Sequence, residues 1–216
     1  MNHAPDFKRS YESPLREAQA AATRRAVIDA AAASFIERGF VATSIETVAA
    51  AAGVSRATVF TSVGGKKALL KTAYDVALVG DDEPVPFPDR PASLAVRAEP
   101  DPRRFLVGYA GLVTDINRRL APIYEAVRGA ASADPEVRDV FGTIGAERRI
   151  GAGRVVAQVV AKGGRLRNRI DAETAADILW VLIDAGLFHL LVHQRGWTPE
   201  RFEAWLAESL QRQLLD

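Results

Sequence analysis

Hydroxyl and cationic side chains that could contact a nucleic acid are concentrated between residues 43 and 66. The guanidinium of Arg56 can donate two parallel hydrogen bonds to a guanine, and Thr58 and Thr61 can offer a hydroxyl or a methyl group to other bases. Each of these side chains alone could equally be a helix cap or a solvated charge, but the set together indicates DNA contact. The candidate contact residues are Thr43, Ser44, Ser55, Arg56, Ala57, Thr58, Phe60, Thr61 and Lys66.

Two short helices joined by a tight turn are predicted to carry these side chains. The segment from Thr43 to Glu46 has the form of a capping box, in which each residue's side chain accepts a hydrogen bond from the other's backbone N–H. Gly53 can adopt the left-handed conformation that ends a helix, and Ser55 can cap the next one. This is the geometry of a helix-turn-helix, whose second helix can enter a major groove. Hydroxyls and free N–H groups at the start of the first helix could hold a phosphate.

A longer helix on each side of this pair completes a predicted DNA-binding domain at residues 23–79. Apolar residues recur on one stripe from residue 23 to residue 38, and Gly39 suits the end of that helix. Residues 67–79 show a second apolar stripe. The polar residues 1–22 are expected to form a flexible N-terminal extension.

Residues 80–102 are rich in proline and in acidic side chains, and they are predicted to form a linker. Each proline removes a backbone donor and disfavours helix at the residue before it. Only a short helix between Pro91 and Ala98 is expected within this segment. The linker separates the predicted DNA-binding domain from a larger C-terminal domain at residues 103–216.

The C-terminal domain is predicted to be entirely helical. Asp134, Asp171 and Thr198 can each cap a helix, and prolines follow the first and last of them at the first helical position. Nowhere do apolar residues alternate as in a half-buried strand. The predicted fold class is therefore all-α, with helices over 103–119, 121–131, 135–162, 171–193 and from 199 onward.

Composition agrees with a globular protein that has no covalent cross-links. The chain has 216 residues, a formal net charge of +1 and no cysteine, so disulfides and thiolate chemistry are excluded. The N-terminus lacks the apolar core of a secretory signal. The longest apolar run, Ile178 to Val192, contains Asp184 and His189 and is short for a membrane span. The sequence therefore predicts a cytoplasmic protein without a membrane segment.

Three ordered motifs give a resemblance to a known family. They are IERGFVATSIETVA, AGVSRATVF and GGKKALL, and they lie between Thr23 and Leu70. Together they resemble the TetR family of bacterial transcription regulators, and the segment RGWTPERFEAWLAESL near the C-terminus is similar to it as well. The resemblance implies a homodimer formed by the last two helices, a palindromic DNA operator, and repression relieved by a small-molecule inducer.

Two positions of the second short helix depart from that family's pattern. Phe60 stands where the family usually has a tyrosine, so a hydroxyl that often meets phosphate is lost, and Val63 stands where a later aromatic is usual. These positions favour an alternative hypothesis, in which the chain is a ligand-binding or protein-binding helical module that no longer binds DNA.

The middle helices would enclose the pocket that the resemblance implies. Aromatic side chains with a polar tip are suited to such a lining. Asp184 lies within an apolar run, so its carboxylate needs either an internal partner or a ligand. The candidate lining residues are Tyr109, Leu112, Tyr124, Phe141, Trp180 and Asp184.

Enzyme chemistry has little support in this sequence. A phosphate-binding P-loop, a dinucleotide glycine fingerprint and a nucleophile elbow are all absent, so no catalytic residue and no cofactor is predicted. His189 and His193 are four residues apart and could face one metal, but no third ligand is evident nearby. No metal site is therefore predicted.

Overall fold

A computed structural model describes residues 14–167 and 170–216 of the chain. Within these residues the elements are helices, and the only β-type pairing is an isolated bridge between Leu166 and Leu215. The predicted all-α fold class is confirmed.

The predicted DNA-binding domain contains four helices, α1 to α4. They span Pro14–Ala42, Ile45–Ala52, Arg56–Ser62 and Lys66–Val79. Helix α1 begins at Pro14 and not at Thr23, so residues 14–22 are helical and do not belong to a flexible extension; residues 1–13 lie outside the described part of the chain. Helix is favoured there because proline suits a first turn and the alanines that follow have the highest helix propensity.

The proline-rich segment is more ordered than its composition suggests. It holds a 3₁₀ turn at Phe87–Asp89 and helix α5 at Pro91–Ala98, which confirms the short helix predicted there. Arg90 binds the Asp81 carboxylate at 2.5 Å, and Arg24 of α1 binds Asp82 at 2.6 Å. These ion pairs fasten the segment to itself and to α1.

The C-terminal domain is built on two long helices, α6 (Pro102–Ala131) and α7 (Pro135–Ala161). The prediction of two helices at 103–119 and 121–131 is wrong, because α6 passes through Pro122 without ending. An internal proline costs a helix one hydrogen bond, but burial of the residues on either side, Ala121 and Ile123, favours continuity. The predicted start of α7 is confirmed, since the Asp134 carboxylate accepts from the N–H of Glu136 at 2.9 Å.

The predicted helix from Asp171 to His193 is instead divided into three parts. Asp171 caps α8 (Ala172–Leu182) as predicted, but a new helix, α9 (Ala185–Phe188), begins after Asp184, and His189–Gln194 is π-helical. The Asp184 carboxylate causes the break, because it accepts from the Gly186 N–H at 2.7 Å and so caps α9. The final helix, α10 (Pro199–Leu214), has the predicted cap at Thr198.

By length and composition alone, residues 172–194 could cross a membrane, with a mean hydropathy of 1.8. In the fold this stretch is interrupted at Asp184, and α8 packs against α7 and α10. Leu179 and Phe188 are fully buried in the core that these helices share.

The interior consists of two apolar clusters. One lies among α6, α7, α8 and α10, and the other joins the DNA-binding domain to the C-terminal domain. In the joining cluster, Leu70 and Tyr74 of α4 pack with Ile116, Leu120 and Ile123 of α6. The linker is therefore a break in the sequence pattern but not in the packing.

Replacing Asp184 with alanine is expected to destabilise the protein strongly. Asp184 pairs with Arg148 at 2.5 Å, and both side chains are about four-fifths buried. The loss would leave an uncompensated buried cation and remove the α9 cap, a cost of at least about 2 kcal/mol in the free energy of unfolding measured with urea. Asp177→Ala is the control, because Asp177 forms an exposed pair with Arg149 and should cost less than about 1 kcal/mol. Equal losses in the two variants would contradict this assignment.

Candidate nucleic-acid interface and ligand cavity

The turn between α2 and α3 is fixed by local hydrogen bonds. Gly53 has a φ of 67°, and its N–H bonds to the carbonyl oxygens of Ala49 and Ala50. The Ser55 hydroxyl accepts from the Thr58 N–H at 3.1 Å and caps α3. Both predicted roles, Gly53 as the helix end and Ser55 as the cap, are confirmed.

The cap of α2 is Ser44, so the capping box predicted at Thr43 is wrong. The Ser44 hydroxyl accepts from the Thr47 N–H at 3.1 Å. Thr43 is buried, and its hydroxyl lies 3.0 Å and 2.8 Å from the carbonyl oxygens of Ser34 and Gly39. With the helix start displaced by one residue, Thr43 ties α1 to α2 and is not available to a phosphate, whereas Ser44 stays at the surface.

Helix α3 presents a continuous exposed face. Val59 points into the core and is fully buried, so the opposite side of the short helix faces solvent. Phe60 is 49% exposed, which is unusual for an aromatic side chain of this size. The predicted contact residues exposed on this face are Ser55, Arg56, Ala57, Phe60 and Thr61.

Arg56 already has a partner, which the sequence analysis missed. Its guanidinium binds the Glu46 carboxylate at 2.9 Å, and both side chains are more than half exposed. The pKa of Glu46 lies below its ordinary value, mainly because the Glu46 carboxylate accepts a hydrogen bond from the Glu46 backbone N–H. The Ser44 hydroxyl and Arg56 lower it less. Because an exposed pair of this kind contributes little to stability, Arg56 can exchange Glu46 for another acceptor at small cost.

The threonine hydroxyls of α3 are also engaged within the helix. Thr61 donates to the carbonyl oxygen of Ala57 at 3.0 Å, and the hydroxyls of Ser55 and Thr58 lie 2.8 Å apart. The Thr61 hydrogen is therefore committed, and one of the Ser55 and Thr58 hydroxyls donates to the other, while both threonine methyl groups are free to meet bases. This favours contact with thymine methyl groups over donation to base acceptors.

Lys66 opens α4 as predicted, but its ammonium group is held by the corner between α1 and α2. The Nζ atom lies 4.2 Å from the centre of the Phe40 ring and 3.3 Å from the Val41 carbonyl oxygen. Burial lowers the pKa of Lys66, an effect that Asp134 opposes. Lys66 therefore contributes to the packing of the DNA-binding domain as well as to its positive surface.

Arg24 of α1 holds the C-terminal end of α3. The residues around Arg24 in the sequence do not indicate this role. Its guanidinium donates to the carbonyl oxygen of Ser62, the last residue of α3, and also binds Asp82. One side chain of α1 thus connects the end of α3 to the start of the linker.

A cavity of about 320 Å³ lies among α4, α5, α6 and α7. Of the predicted lining, Tyr109 and Leu112 do contact it. The lining residues missed from the sequence come from several helices, because they meet only in the folded chain. The polar ones are Tyr74, Ser93, Arg97, Asn117, Glu147, Arg148, Arg154 and Gln158.

The other four residues predicted to line this cavity lie outside it. Tyr124 donates to the Asp184 carboxylate at 2.9 Å and packs on Phe141, with ring centres 5.6 Å apart. Trp180 and Asp184 line a different cavity of about 340 Å³. Of the two alternatives for the Asp184 carboxylate, the structure shows the internal one, since its partners are Arg148 and Tyr124.

Two histidines that could have faced a metal are close in space. The rings of His189 and His193 are 5.4 Å apart and tilted against each other. Within residues 14–167 and 170–216, no group of three or more potential metal ligands of the histidine, cysteine, aspartate or glutamate type comes together.

An all-helical fold with a helix-turn-helix at one end and a helical domain around a cavity defines a class of DNA-binding regulators. Residues 27–73 match the sequence model of the family described as bacterial regulatory proteins, tetR family. The resemblance predicted from the motifs is therefore confirmed over these residues.

Solved structures share the fold across most of the chain. A protein described as a TetR-family transcriptional regulator from Rhodococcus sp. is 18% identical, with 89% of this chain and 98% of that chain covered and a TM-score of 0.68. NalD, the secondary repressor of the MexAB-OprM multidrug efflux pump in Pseudomonas aeruginosa, is 23% identical, with coverage of 93% and 98% and a TM-score of 0.69.

A transcriptional regulator from Saccharomonospora viridis, solved in complex with choline, is 19% identical, with coverage of 89% and 97% and a TM-score of 0.64. At these identities the structures establish the fold alone. A comparison with curated proteins gives no significant match.

Replacing Ser44 with alanine tests which residue caps α2. Loss of the bond to the Thr47 N–H should cost about 1 kcal/mol in the free energy of unfolding, measured by urea denaturation. A capping box at Thr43 would instead leave the Ser44 variant as stable as the parent protein, so an unchanged midpoint and slope would contradict this cap.

Proposed function

We propose that this protein is a homodimeric, ligand-responsive regulator that binds a palindromic operator and is released from it by a small molecule. The observation that carries the proposal is the position of α4, which forms part of the DNA-binding domain and also part of the cavity wall. Tyr74 and Leu78 of α4 line the cavity, while Lys66 at the other end of the helix contacts Val41 at the end of α1.

DNA recognition is assigned to the exposed face of α3. Arg56 would leave Glu46 and donate to a guanine, and the small side chain of Ala57 allows the helix to approach the bases closely. Thr58 and Thr61 would meet thymine methyl groups. Phe60 would pack against a sugar or a thymine methyl group, since its exposed ring has no polar atom to offer.

Phosphate contacts are assigned to the starts of α2 and α4. Ser44 lies at the first of these, and the N-cap of α4 is Gly65, which has no side chain to satisfy the first N–H groups of that helix. Free N–H groups at a helix start bind anions favourably. Lys66 would add a positive charge at the same place.

Coupling between ligand and DNA would pass through α4. The Arg119 side chain of α6 donates to the carbonyl oxygens of Ala77 and Leu78 at 3.3 Å each. The C-terminal end of α4 is therefore bonded to α6, a helix that also lines the cavity. A ligand that binds more tightly when α4 is in one position would shift the equilibrium of the DNA-binding domain toward that position. The free energy of this shift equals the ligand's difference in affinity for the two positions. The choline complex of a regulator with the same fold supports a ligand-binding role for the C-terminal domain.

Dimerisation is assigned to the apolar surface of α8 and of the π-helical segment. Some of the apolar residues in the last helices serve the protein's own core, since Leu179 and Leu206 are fully buried. Val181 and Leu190 are instead 52% and 48% exposed. A symmetric dimer would cover such residues and place two copies of α3 on successive half-sites.

The remaining parts of the proposal follow from DNA binding. The protein would act in the cytoplasm, its partners would be double-stranded DNA and a small-molecule effector, and it would have no catalytic activity and no cofactor. NalD, a repressor with the same fold, supports repression over activation.

A second candidate function is that of a helical binding module without DNA affinity. Two observations favour it: Phe60 exposes a ring without a hydroxyl, and Arg56 is already paired with Glu46. In this case the exposed face of α3 would be a surface for another protein.

Selection of bound DNA from a random pool separates the two candidates. We expect an inverted repeat to emerge, and affinity for it to fall steeply as salt concentration rises, because phosphate contacts release counterions. Recovery of no motif, together with weak binding that is equal for all sequences, would reject DNA recognition in favour of the second candidate.

Arg56→Ala is expected to weaken operator binding by about 1–3 kcal/mol and to relax the preference at one base pair in each half-site. A gel-shift series with operators changed at single positions measures both effects. Arg212→Ala is the control, because Arg212 forms a comparable exposed pair with Glu208, at 2.7 Å, on α10. A uniform loss across all operator variants would instead make Arg56 a phosphate contact.

Phe60→Tyr is expected to tighten operator binding a few-fold, because the added hydroxyl can donate to a phosphate at about the strength of one hydrogen bond. Titrations at a fixed salt concentration, with Phe60→Leu as a variant that removes the ring and adds no hydroxyl, measure the change. Unchanged or weaker binding by the tyrosine variant would show that this position does not face the DNA backbone.

A further inference from the structure

The cavity among α4, α5, α6 and α7 has mainly apolar walls. Its volume of about 320 Å³ lies at the lower end of the range for small-molecule pockets. The apolar wall is formed by Leu78, Phe87, Val96, Phe105, Leu112 and Ile116 together with further aliphatic residues of α6 and α7. This volume and wall suit a compact ligand with a hydrophobic body.

Several polar atoms at this cavity are buried and lack a partner within the described chain. They are Ser93 Oγ, Asn117 Nδ2, Arg148 Nε and Gln158 Oε1. Asn117 is the clearest case, because it is only 2% exposed and lies on the buried face in the middle of α6. An unpaired buried polar group is costly, and native proteins contain few of them.

Donors outnumber acceptors in this set. Asn117 Nδ2 and Arg148 Nε can only donate, and the Ser93 hydroxyl can donate as well, whereas Gln158 Oε1 alone can only accept. A ligand that satisfies them must therefore bring mainly acceptor oxygens.

The charges around the cavity favour an anion. Arg97 and Arg154 line it and make no ion pair within the part of the chain that the structure describes. The one lining carboxylate, Glu147, is paired with Lys71 of α4 at 3.3 Å. Arg148 binds Asp184 through Nη2, which leaves its Nε as a charged donor.

We propose that this cavity binds a small lipophilic carboxylic acid. Its carboxylate would accept hydrogen bonds from Asn117 and Arg148, and its hydrocarbon body would lie against the apolar wall. The inference builds on the proposed function by naming the chemical class of the effector. A cationic ligand would meet three arginines and no free carboxylate, and a neutral alcohol would leave the charges of Arg97 and Arg154 without a counter-charge.

Calorimetric titration of the full-length protein with two matched series tests the headgroup. One series is 4-phenylbutyrate, 4-phenylbutanol and 4-phenylbutylamine, and the other is octanoate, octanol and octylamine. In each series we expect the acid to bind at least about ten-fold more tightly than the alcohol, because a hydrogen bond to a charged group is the stronger kind, and the amine to bind most weakly.

Asn117→Leu tests the proposed contact with the same number and branching of side-chain heavy atoms. It removes a buried amide nitrogen that has no partner, so the variant should fold. Its affinity for the acids should fall about ten-fold and its affinity for the alcohols should fall less, because a neutral oxygen is the weaker acceptor. Thr114→Val is the matched control, because Thr114 is equally buried on α6 but bonds to the Ala110 carbonyl oxygen and does not line the cavity. Its affinities should equal those of the parent protein.

A second pair of variants tests the positive charge at the cavity. Arg154→Gln should weaken binding of the acids, whereas Arg149→Gln should not, because Arg149 lies on the same helix but points to Asp177. These two variants also provide a test that is independent of any change at Asn117.

Binding of the acid and release of DNA are measured separately so that the two proposals can fail independently. The acids could bind, and bind less tightly to the Asn117→Leu protein, without changing the affinity of the protein for its operator. In that case the cavity assignment stands and ligand control of DNA binding fails. Three results would overturn the cavity assignment, whatever the DNA assay shows. They are tighter binding of an alcohol or amine than of the acid, absence of binding by both acids, and equal acid affinity in the Asn117→Leu protein and the parent protein.

Discussion

The apolar cluster shared by α1, α4 and α6 is the contact on which the rest of the structure depends. Leu70 and Tyr74 of α4 are buried against Ile116 and Leu120 of α6, so the DNA-binding domain has no separate core on the side that faces the C-terminal domain. Close-packed interiors transmit displacement because they hold few voids that could absorb it. Movement of α4 against α6 must therefore repack this cluster, and such movement is coupled to the cavity that Tyr74 and Leu78 line.

The surface proposed to contact DNA is already internally bonded. Arg56 is paired with Glu46, Lys66 is held over the Phe40 ring, and the Thr61 hydroxyl bonds to its own helix. These contacts keep α3 and its neighbours ordered without DNA, and the exposed pair costs little to exchange. Recognition would then be an exchange of partners on a prearranged surface, which limits the conformational entropy lost on binding.

The two polar networks of the C-terminal domain differ in how fully they are satisfied. Asp184 receives hydrogen bonds or charge from Arg148, Tyr124 and the Gly186 N–H, and this network fixes the break between α8 and α9. Asn117, which lines the cavity among α4, α5, α6 and α7, has an amide nitrogen with no partner in the described chain. Satisfied networks make a fold specific, whereas an unsatisfied buried group costs stability and is a common feature of sites built for function.

The sequence by itself determined the class of the fold and most of its local boundaries. Gly53, Ser55, Asp134, Asp171 and Thr198 end or begin helices as predicted, because caps and left-handed turns depend on neighbouring residues alone. The match to the family model likewise rests on one contiguous segment, residues 27–73.

Tertiary structure decided what depends on the packing of one helix against another. Whether Thr43 or Ser44 caps α2 was decided by the buried carbonyl oxygens of Ser34 and Gly39, and whether Asp184 faces a ligand was decided by Arg148. Periodicity along a helix indicates only that a residue faces inward. Which groups it meets there, and whether they satisfy its charge and hydrogen bonds, is set by the packing of separate helices.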